Sequence, residues 1–234
     1  MSTHLTRKEL KQDNVALKVE ETFDFFNLHR TQAFRSGGIA LAVALVAGGV
    51  YYYITAQQSV REQMLGDAIT MQGEPVGPQQ PNGGATFPSD GAKKDAVVKA
   101  YTKLITEHGG SAEAYVAEYT LGSMDADAGN TTEARRKYQD VADHAGAGYS
   151  SLARLALAQL DFAENKTAEA RTILKDLQDH PTELVSRAQA SYALAKGIAS
   201  AQPEEARKLL VELASAHNDV SQVAVTALQE LPSK

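Results

Sequence analysis

The sequence predicts an all-α protein: one transmembrane helix, an amphipathic helix before it, and a helical-repeat (α-solenoid) domain after it. Three observations carry this reading. Residues 36–60 contain no charged side chain. Four histidines, His108, His144, His180 and His217, recur at intervals of 36, 36 and 37 residues. Between these two features lies a stretch dense in proline and glycine, from Gly73 to Gly91. The expected domains are residues 1–35 (tail), 36–56 (transmembrane helix), 57–72 (its juxtamembrane continuation), 73–92 (linker) and 93–234 (repeat domain).

The tail reads as amphipathic over residues 7–29. Leu10, Val15, Val19, Phe23 and Phe26 recur at helical spacings with Lys and Glu between them. Phe25, Phe26, Leu28 and Phe34 gather toward the apolar stretch, where aromatic rings suit a membrane interface. Such a helix either lies on a surface or partner, or extends the membrane helix into solvent.

A bilayer core needs about 20 mostly apolar helical residues, and about 19 lie between Ser36 and Ile54. Apolar residues occupy every side, so no polar face remains for a soluble amphipathic helix. Tyr51, Tyr52 and Tyr53 belong at a headgroup boundary. The mixed-charge residues ahead of the stretch are unlike the short basic start of a signal peptide. Lys18, Arg30 and Arg35 on one side outnumber Arg61 on the other, so the N-terminus is expected in the cytoplasm. Gly38, Ala42, Ala44 and Gly48 place small residues at a spacing that suits close helix packing in a membrane.

Past the membrane, Val60, Met64, Ala68 and Met71 continue a helical stripe. Pro75, Pro78, Pro81 and Pro88, with five glycines, then break it. A segment of this composition buries no face and is expected to let the following domain move.

Each of the four histidines ends a helical pattern and is followed by Gly, Pro, Asn or Asp. The pattern upstream also repeats. Ala134 leads to Tyr138 and Val141, Ala170 to Leu174 and Leu177, Ala206 to Leu210 and Leu213, with Val97, Tyr101 and Leu104 as an earlier copy. Partner helices carry Leu121-Gly122, Leu157-Ala158 and Leu194-Ala195 at matching distances, the small second residue allowing close approach. A fixed period of this size means stacked helix pairs. Asn130 and Glu133 are spaced as a capping box between two helices, and Val220–Leu231 reads as a final half-repeat.

Leu121, Gly122, Gly129, Ala134 and Tyr138 resemble the tetratricopeptide repeat signature. Later copies depart from it: Asn165 replaces the turn glycine, and Asp125 and Asp161 stand where a tyrosine is expected. The resemblance implies a concave surface lined by the first helix of each pair. Carried over to this chain, it gives a protein-binding groove of Tyr119, Ser123 and Asp127, then Leu155, Gln159 and Phe162, then Tyr192 and Lys196. The Lys/Asn clamp with which some repeats of the family hold a C-terminal carboxylate is missing.

The rest of the composition excludes classes of function. A net charge of −6, dispersed along the chain, offers no footprint for nucleic acid. The absence of cysteine excludes disulfides, thiolate zinc sites and a lipidated cysteine. Histidines a repeat apart, roughly 10 Å, cannot share a zinc ion whose Zn–N bonds are about 2 Å. They suit helix C-termini, where they oppose the macrodipole. No catalytic grouping, phosphate loop or small-molecule site is evident, so no catalytic residue, metal or cofactor is expected.

The whole layout resembles the family of ancillary subunits of the bacterial Sec translocon, tetratricopeptide proteins of the inner membrane. That resemblance implies a non-enzymatic adaptor or chaperone-like role, with the translocon, a periplasmic chaperone or a nascent polypeptide as partner. The repeat domain would then be periplasmic. A structural scaffold of another envelope machine, for division, secretion or pilus assembly, is the alternative.

Overall fold

A computed structural model describes residues 7–77, 87–217 and 219–231, with side chains left out for residues 7–38 and 40. Among the described residues there are nine helices and no strand beyond one isolated bridge. They are α1 (Arg7–Gly73), α2 (Asp90–His108), α3 (Ala112–Asp127), α4 (Thr131–His144), α5 (Ala147–Ala163), α6 (Thr167–Asp179), α7 (Arg187–Ile198), α8 (Pro203–Ser215) and α9 (Ser221–Glu230). The chain forms two compact units, Met1–Ser59 and Val60–Lys234.

The first unit holds α1 as far as Ser59. Among its described side chains, Ile39, Leu41, Val43, Leu45, Val46, Val50 and Ile54 are all exposed, as are Tyr51, Tyr52 and Tyr53. Nothing lies within 4 Å of a Cβ placed on Gly48, and Ala42 and Ala44 are exposed. Among the described residues no helix is long and apolar enough to cross a membrane. The expected span starts at Ser36, and the side chains of Ser36, Gly37, Gly38 and Ala40 fall outside those residues, as do those of the amphipathic stripe over 7–29.

The second unit is built from helix pairs, and its core is the 36-residue pattern. Val97, Tyr101 and Leu104 of α2 are buried, and so are Ala134, Tyr138 and Val141 of α4. The same holds for Ala170, Leu174 and Leu177 of α6, and for Ala206, Leu210 and Leu213 of α8. These positions are spaced four and then three apart, which keeps them on one helix face. Gly122 is a close-approach residue: a Cβ there would lie 2.9 Å from Cε1 of Tyr138. Helix α9 closes the stack with Ala224 and Ala227, and Val220 is buried beside them.

The start of this unit differs from expectation. Residues 57–72 were expected as a juxtamembrane continuation, apart from a repeat domain beginning at residue 93. Instead, the last turns of α1 supply the first helix of a first pair. Ala68 is fully buried with Val97, Tyr101, Leu104, Ala117 and Leu121, flanked by Met64, Leu65 and Met71. Arg61 Nε lies 3.0 Å from Glu113 on α3, and Tyr101 Oη donates to Gln72 Oε1 at 3.1 Å. The described ends of the Pro/Gly segment are clasped as well. Gly77 N donates to Phe87 O at 3.0 Å and Phe87 N to Pro75 O at 3.2 Å. The apolar stripe on α1 needed a partner, and α2 and α3 provide it. Residues 78–86 lie outside the described residues.

Local signals also moved. Asn130 makes no side-chain cap, because its ψ of 57° departs from the extended backbone that an N-cap needs. Glu133 turns instead to Arg136 at 3.1 Å. The reciprocal capping box forms at Ser186 and Gln189. Simple serine caps open α2 at Ser89 and α3 at Ser111. Asn165 takes φ 61°, matching the φ 79° of Gly129 in the preceding turn. Asparagine is among the few residues that tolerate this left-handed conformation. His144 and His180 each bring Nδ1 within hydrogen-bond range of the carbonyl four residues back, at 3.0 and 3.2 Å. Both also lie 3.1 Å from the carboxylate of that residue, Asp140 or Asp176.

Where the repeat signature has tyrosine, ion pairs stand in. Asp125 meets Lys137 Nζ at 2.6 Å. Asp161, only 4% exposed, lies 2.8 Å from Arg135 Nη2. The second cation is shared, because Arg135 Nη2 also lies 3.1 Å from Glu164 Oε2.

Candidate functional site

Helices α5 and α7 face each other across a cavity of about 560 Å³. Helix α5 contributes Leu152, Leu155, Gln159 and Phe162, at spacings of three and four that define one face. Helix α7 contributes Gln189, Tyr192, Ala193, Lys196 and Gly197, and Leu184 enters from the preceding loop. The volume falls within the roughly 300–1,000 Å³ typical of ligand sites.

Two glycines set the width of this groove. A Cβ on Gly197 would sit 2.2 Å from the Phe162 ring, so Phe162 can cross to α7 only over glycine. A Cβ on Gly148 would lie 3.0 Å from Leu184 Cδ1. Leu184 is held there by its loop. Ser151 Oγ and Thr182 Oγ1 are 2.6 Å apart, Thr182 N donates to Val185 O at 2.9 Å, and Val185 is fully buried. The two contacts bracket the lining residues, one at each end of the facing helices.

The preceding repeat carries a larger residue at the position equivalent to Leu155. Tyr119 and Leu155 are 36 residues apart, one period of the repeat. Between α3 and α5, Tyr119 fills the space, its ring 5.5 Å from that of Tyr138 and 6.0 Å from that of Tyr149 in an edge-on arrangement. At the next layer the smaller Leu155 leaves the equivalent space open.

The expected groove residues therefore divide. Leu155, Gln159, Phe162, Tyr192 and Lys196 come together in the cavity. Tyr119, Ser123 and Asp127 do not join them. Tyr119 packs against the core around Tyr138. Burial pushes the Tyr138 hydroxyl up to about 12, against the pull of a hydrogen bond with Ser123. Asp127 is exposed at the end of α3. Leu152, Leu184, Gln189, Ala193 and Gly197 were not anticipated. The heptad-like spacing of Leu152 with Leu155 and Gln159 was the available signal for one of them.

The groove's electrostatics are simple. Among the described residues, Lys196 is its only charged lining residue, and no acidic side chain lines it. Gln189 Oε1 accepts from Ser186 N at 2.8 Å in the capping box, so its amide NH₂ is the group left to offer a ligand. Elsewhere, Glu118 on α3 has its carboxyl pushed up to about 7, first by burial and then by the hydrogen-bonded carboxyl of Asp140. Among the described residues no cluster of His, Asp and Glu is arranged to hold a metal ion.

Residues 33–185 match the model of a family described as a tetratricopeptide repeat-like domain. No curated protein and no solved structure matches the chain. The family match ends at the buried loop residue Val185, so α7, the second wall of the groove, lies beyond it. The paired helices, their 36-residue core and the extent of this match place the chain in the tetratricopeptide repeat-like domain family.

Proposed function

We propose that this protein is a membrane-anchored, non-enzymatic adaptor that binds other proteins in the α5–α7 groove. The groove carries this reading: it is preformed, mostly apolar and bracketed by contacts that glycines make possible. The fold supports it, because stacked helix pairs present extended surfaces that engage polypeptides. The anchor is residues 36–56. Its support is the set of exposed apolar and tyrosine side chains from Ile39 to Ile54, which water alone would leave unfavourably hydrated. The excess of Lys and Arg ahead of it supports a cytoplasmic N-terminus and a periplasmic repeat domain.

The layout of anchor and repeats also supports a finer reading, in which the protein stands beside the Sec translocon. Its partners there are the translocon, a periplasmic chaperone or the emerging chain. A photo-crosslinker in place of Tyr192, used in cells, tests this. The expected products contain one of those three partners, and Leu155→Tyr, which copies Tyr119 one layer earlier and fills the groove, removes them. Crosslinks unaffected by Leu155→Tyr place binding elsewhere. Products containing only components of a division, secretion or pilus machine favour the scaffold role.

A further inference from the structure

We infer that the α5–α7 groove receives a short amphipathic helix of a partner protein, docked antiparallel to α7 with an acidic residue of its first turn on Lys196. This rests on the groove being the binding site and adds the chemistry of its occupant.

Both walls of the groove are helices, whose main-chain groups are already bonded within α5 and α7. An extended segment laid between them finds no main-chain partners there. The lining offers few polar side chains: Gln159, Gln189, Lys196 and the hydroxyl of Tyr192. A helix satisfies its own backbone and needs only an apolar face, so it matches these walls better. The ridge of Leu152, Leu155, Gln159 and Phe162 follows the three-and-four spacing into which a helix interdigitates.

Charge and hydrogen bonding set the occupant's direction. Lys196 is exposed, and among the described residues no carboxylate lies within ion-pair distance of it. A groove lined by one cation and no anion among the described residues is locally complementary to a carboxylate. Gln189 stands seven residues earlier on α7, about 10 Å or two helical turns away. Its Oε1 is committed to Ser186 N, so it presents NH₂ donors. The last carbonyls of a helix lack partners within it and accept such donors, while acidic side chains suit a helix's first turn. The helix C-terminus therefore belongs at Gln189 and its acidic first turn at Lys196.

The test uses the full-length protein in mild detergent micelles and fluorescein-labelled 12-residue peptides, hydrocarbon-stapled on the polar face to hold them helical. One peptide carries leucines at i, i+3, i+4 and i+7 with Glu in the first turn. The others place Gln there, move the Glu to the last turn, or replace the staple with a central proline. The first-turn Glu peptide should bind about tenfold more tightly than the Gln peptide, the scale of one charge-assisted contact. Lys196→Met should erase that difference, whichever way it moves the two affinities together, and Lys196→Arg should keep most of it. Equal binding of the Glu and Gln peptides overturns the proposal, as does preference for the last-turn Glu, equal binding of the proline peptide, or no binding by any peptide. If the Tyr192 crosslinks in cells are nonetheless lost in Leu155→Tyr, the groove stands as the binding site and only the occupant is wrong. If those crosslinks persist in Leu155→Tyr, the groove itself is the wrong site.

Discussion

Gly197 is the residue on which the groove most directly depends, because Phe162 occupies the place where any side chain would begin. Gly197→Ala should displace Phe162, destabilise the repeat domain by about 1–3 kcal/mol through overpacking and abolish peptide binding. Urea unfolding and fluorescence polarisation read the two effects separately. No spacing rule picks out Gly197, since the need for glycine arises from a ring on another helix. Leu155, by contrast, was legible from the period, although its importance lies in being smaller than Tyr119. Glu118 is a different kind of residue, because its environment sets its ionisation. Its folded carboxyl titrates near 7, above its ordinary 4.5, owing first to burial and then to Asp140, with Arg136 and Lys137 opposing. A raised carboxyl favours folding while it is protonated. Its contribution is therefore complete below about 4.5 and is lost as pH rises through about 7. Glu118→Gln should flatten the stability profile across this window, and thermal melts at pH 4.5 and pH 8 measure the change. An unchanged profile would mean that burial and Asp140 together do not raise Glu118 in solution. Nothing in the sequence pairs these two acids, which meet only when α3 packs on α4.

At the scale of elements, the last turns of α1 belong to the repeat domain. Val60, Met64, Ala68 and Met71 were readable as an apolar stripe, but the proline-rich segment after them suggested a boundary. Packing overrides that local signal: Ala68 is sealed in a core with α2 and α3, and the segment is closed by the Gly77–Phe87 and Phe87–Pro75 hydrogen bonds. A fragment starting at Asp90 should therefore be less stable than one starting at Val60, by on the order of 3–5 kcal/mol for the loss of Met64, Leu65, Ala68 and Met71 from the core. Equal urea midpoints would return residues 60–73 to the role of a spacer. The capping signals show the same limit of local reading. Asn130 and Glu133 have the right identities at the right spacing, yet the backbone at Asn130 is not extended and the box does not form. Ser186 and Gln189 form it where the preceding loop, pinned by Ser151 and Thr182, delivers Ser186 in extended geometry. The histidine period marked the helix ends because His144 and His180 bond back to their own last turns, a local act that local sequence can encode.

For the whole molecule, the 36-residue period made the stacked helix pairs legible, because α2, α4, α6 and α8 bury the same positions. The α5–α7 groove was only half legible, since its lining differs from one repeat to the next, and periodic reasoning averages such differences away. Its second wall also lies past Val185, where the family match ends. Residues 36–56 bear on a different scale, that of compartments. If they anchor the chain with the N-terminus in the cytoplasm, a phosphatase active only outside the cytoplasm should be active when fused after Lys234. It should be inactive when fused before residue 36. Introducing Arg at Val43 and Leu45 should release the protein from the membrane fraction, because charges near the centre of a span are disfavoured by about 2.5–3.5 kcal/mol each. The same double substitution should leave unfolding of the Val60–Lys234 unit unchanged, since neither residue contributes to its core clusters. Persistence of the double-arginine protein in carbonate-washed membranes would remove this stretch as the anchor. Phosphatase activity in the reverse pattern would instead keep the anchor and place the groove in the cytoplasm, where it could not meet polypeptides emerging on the far side.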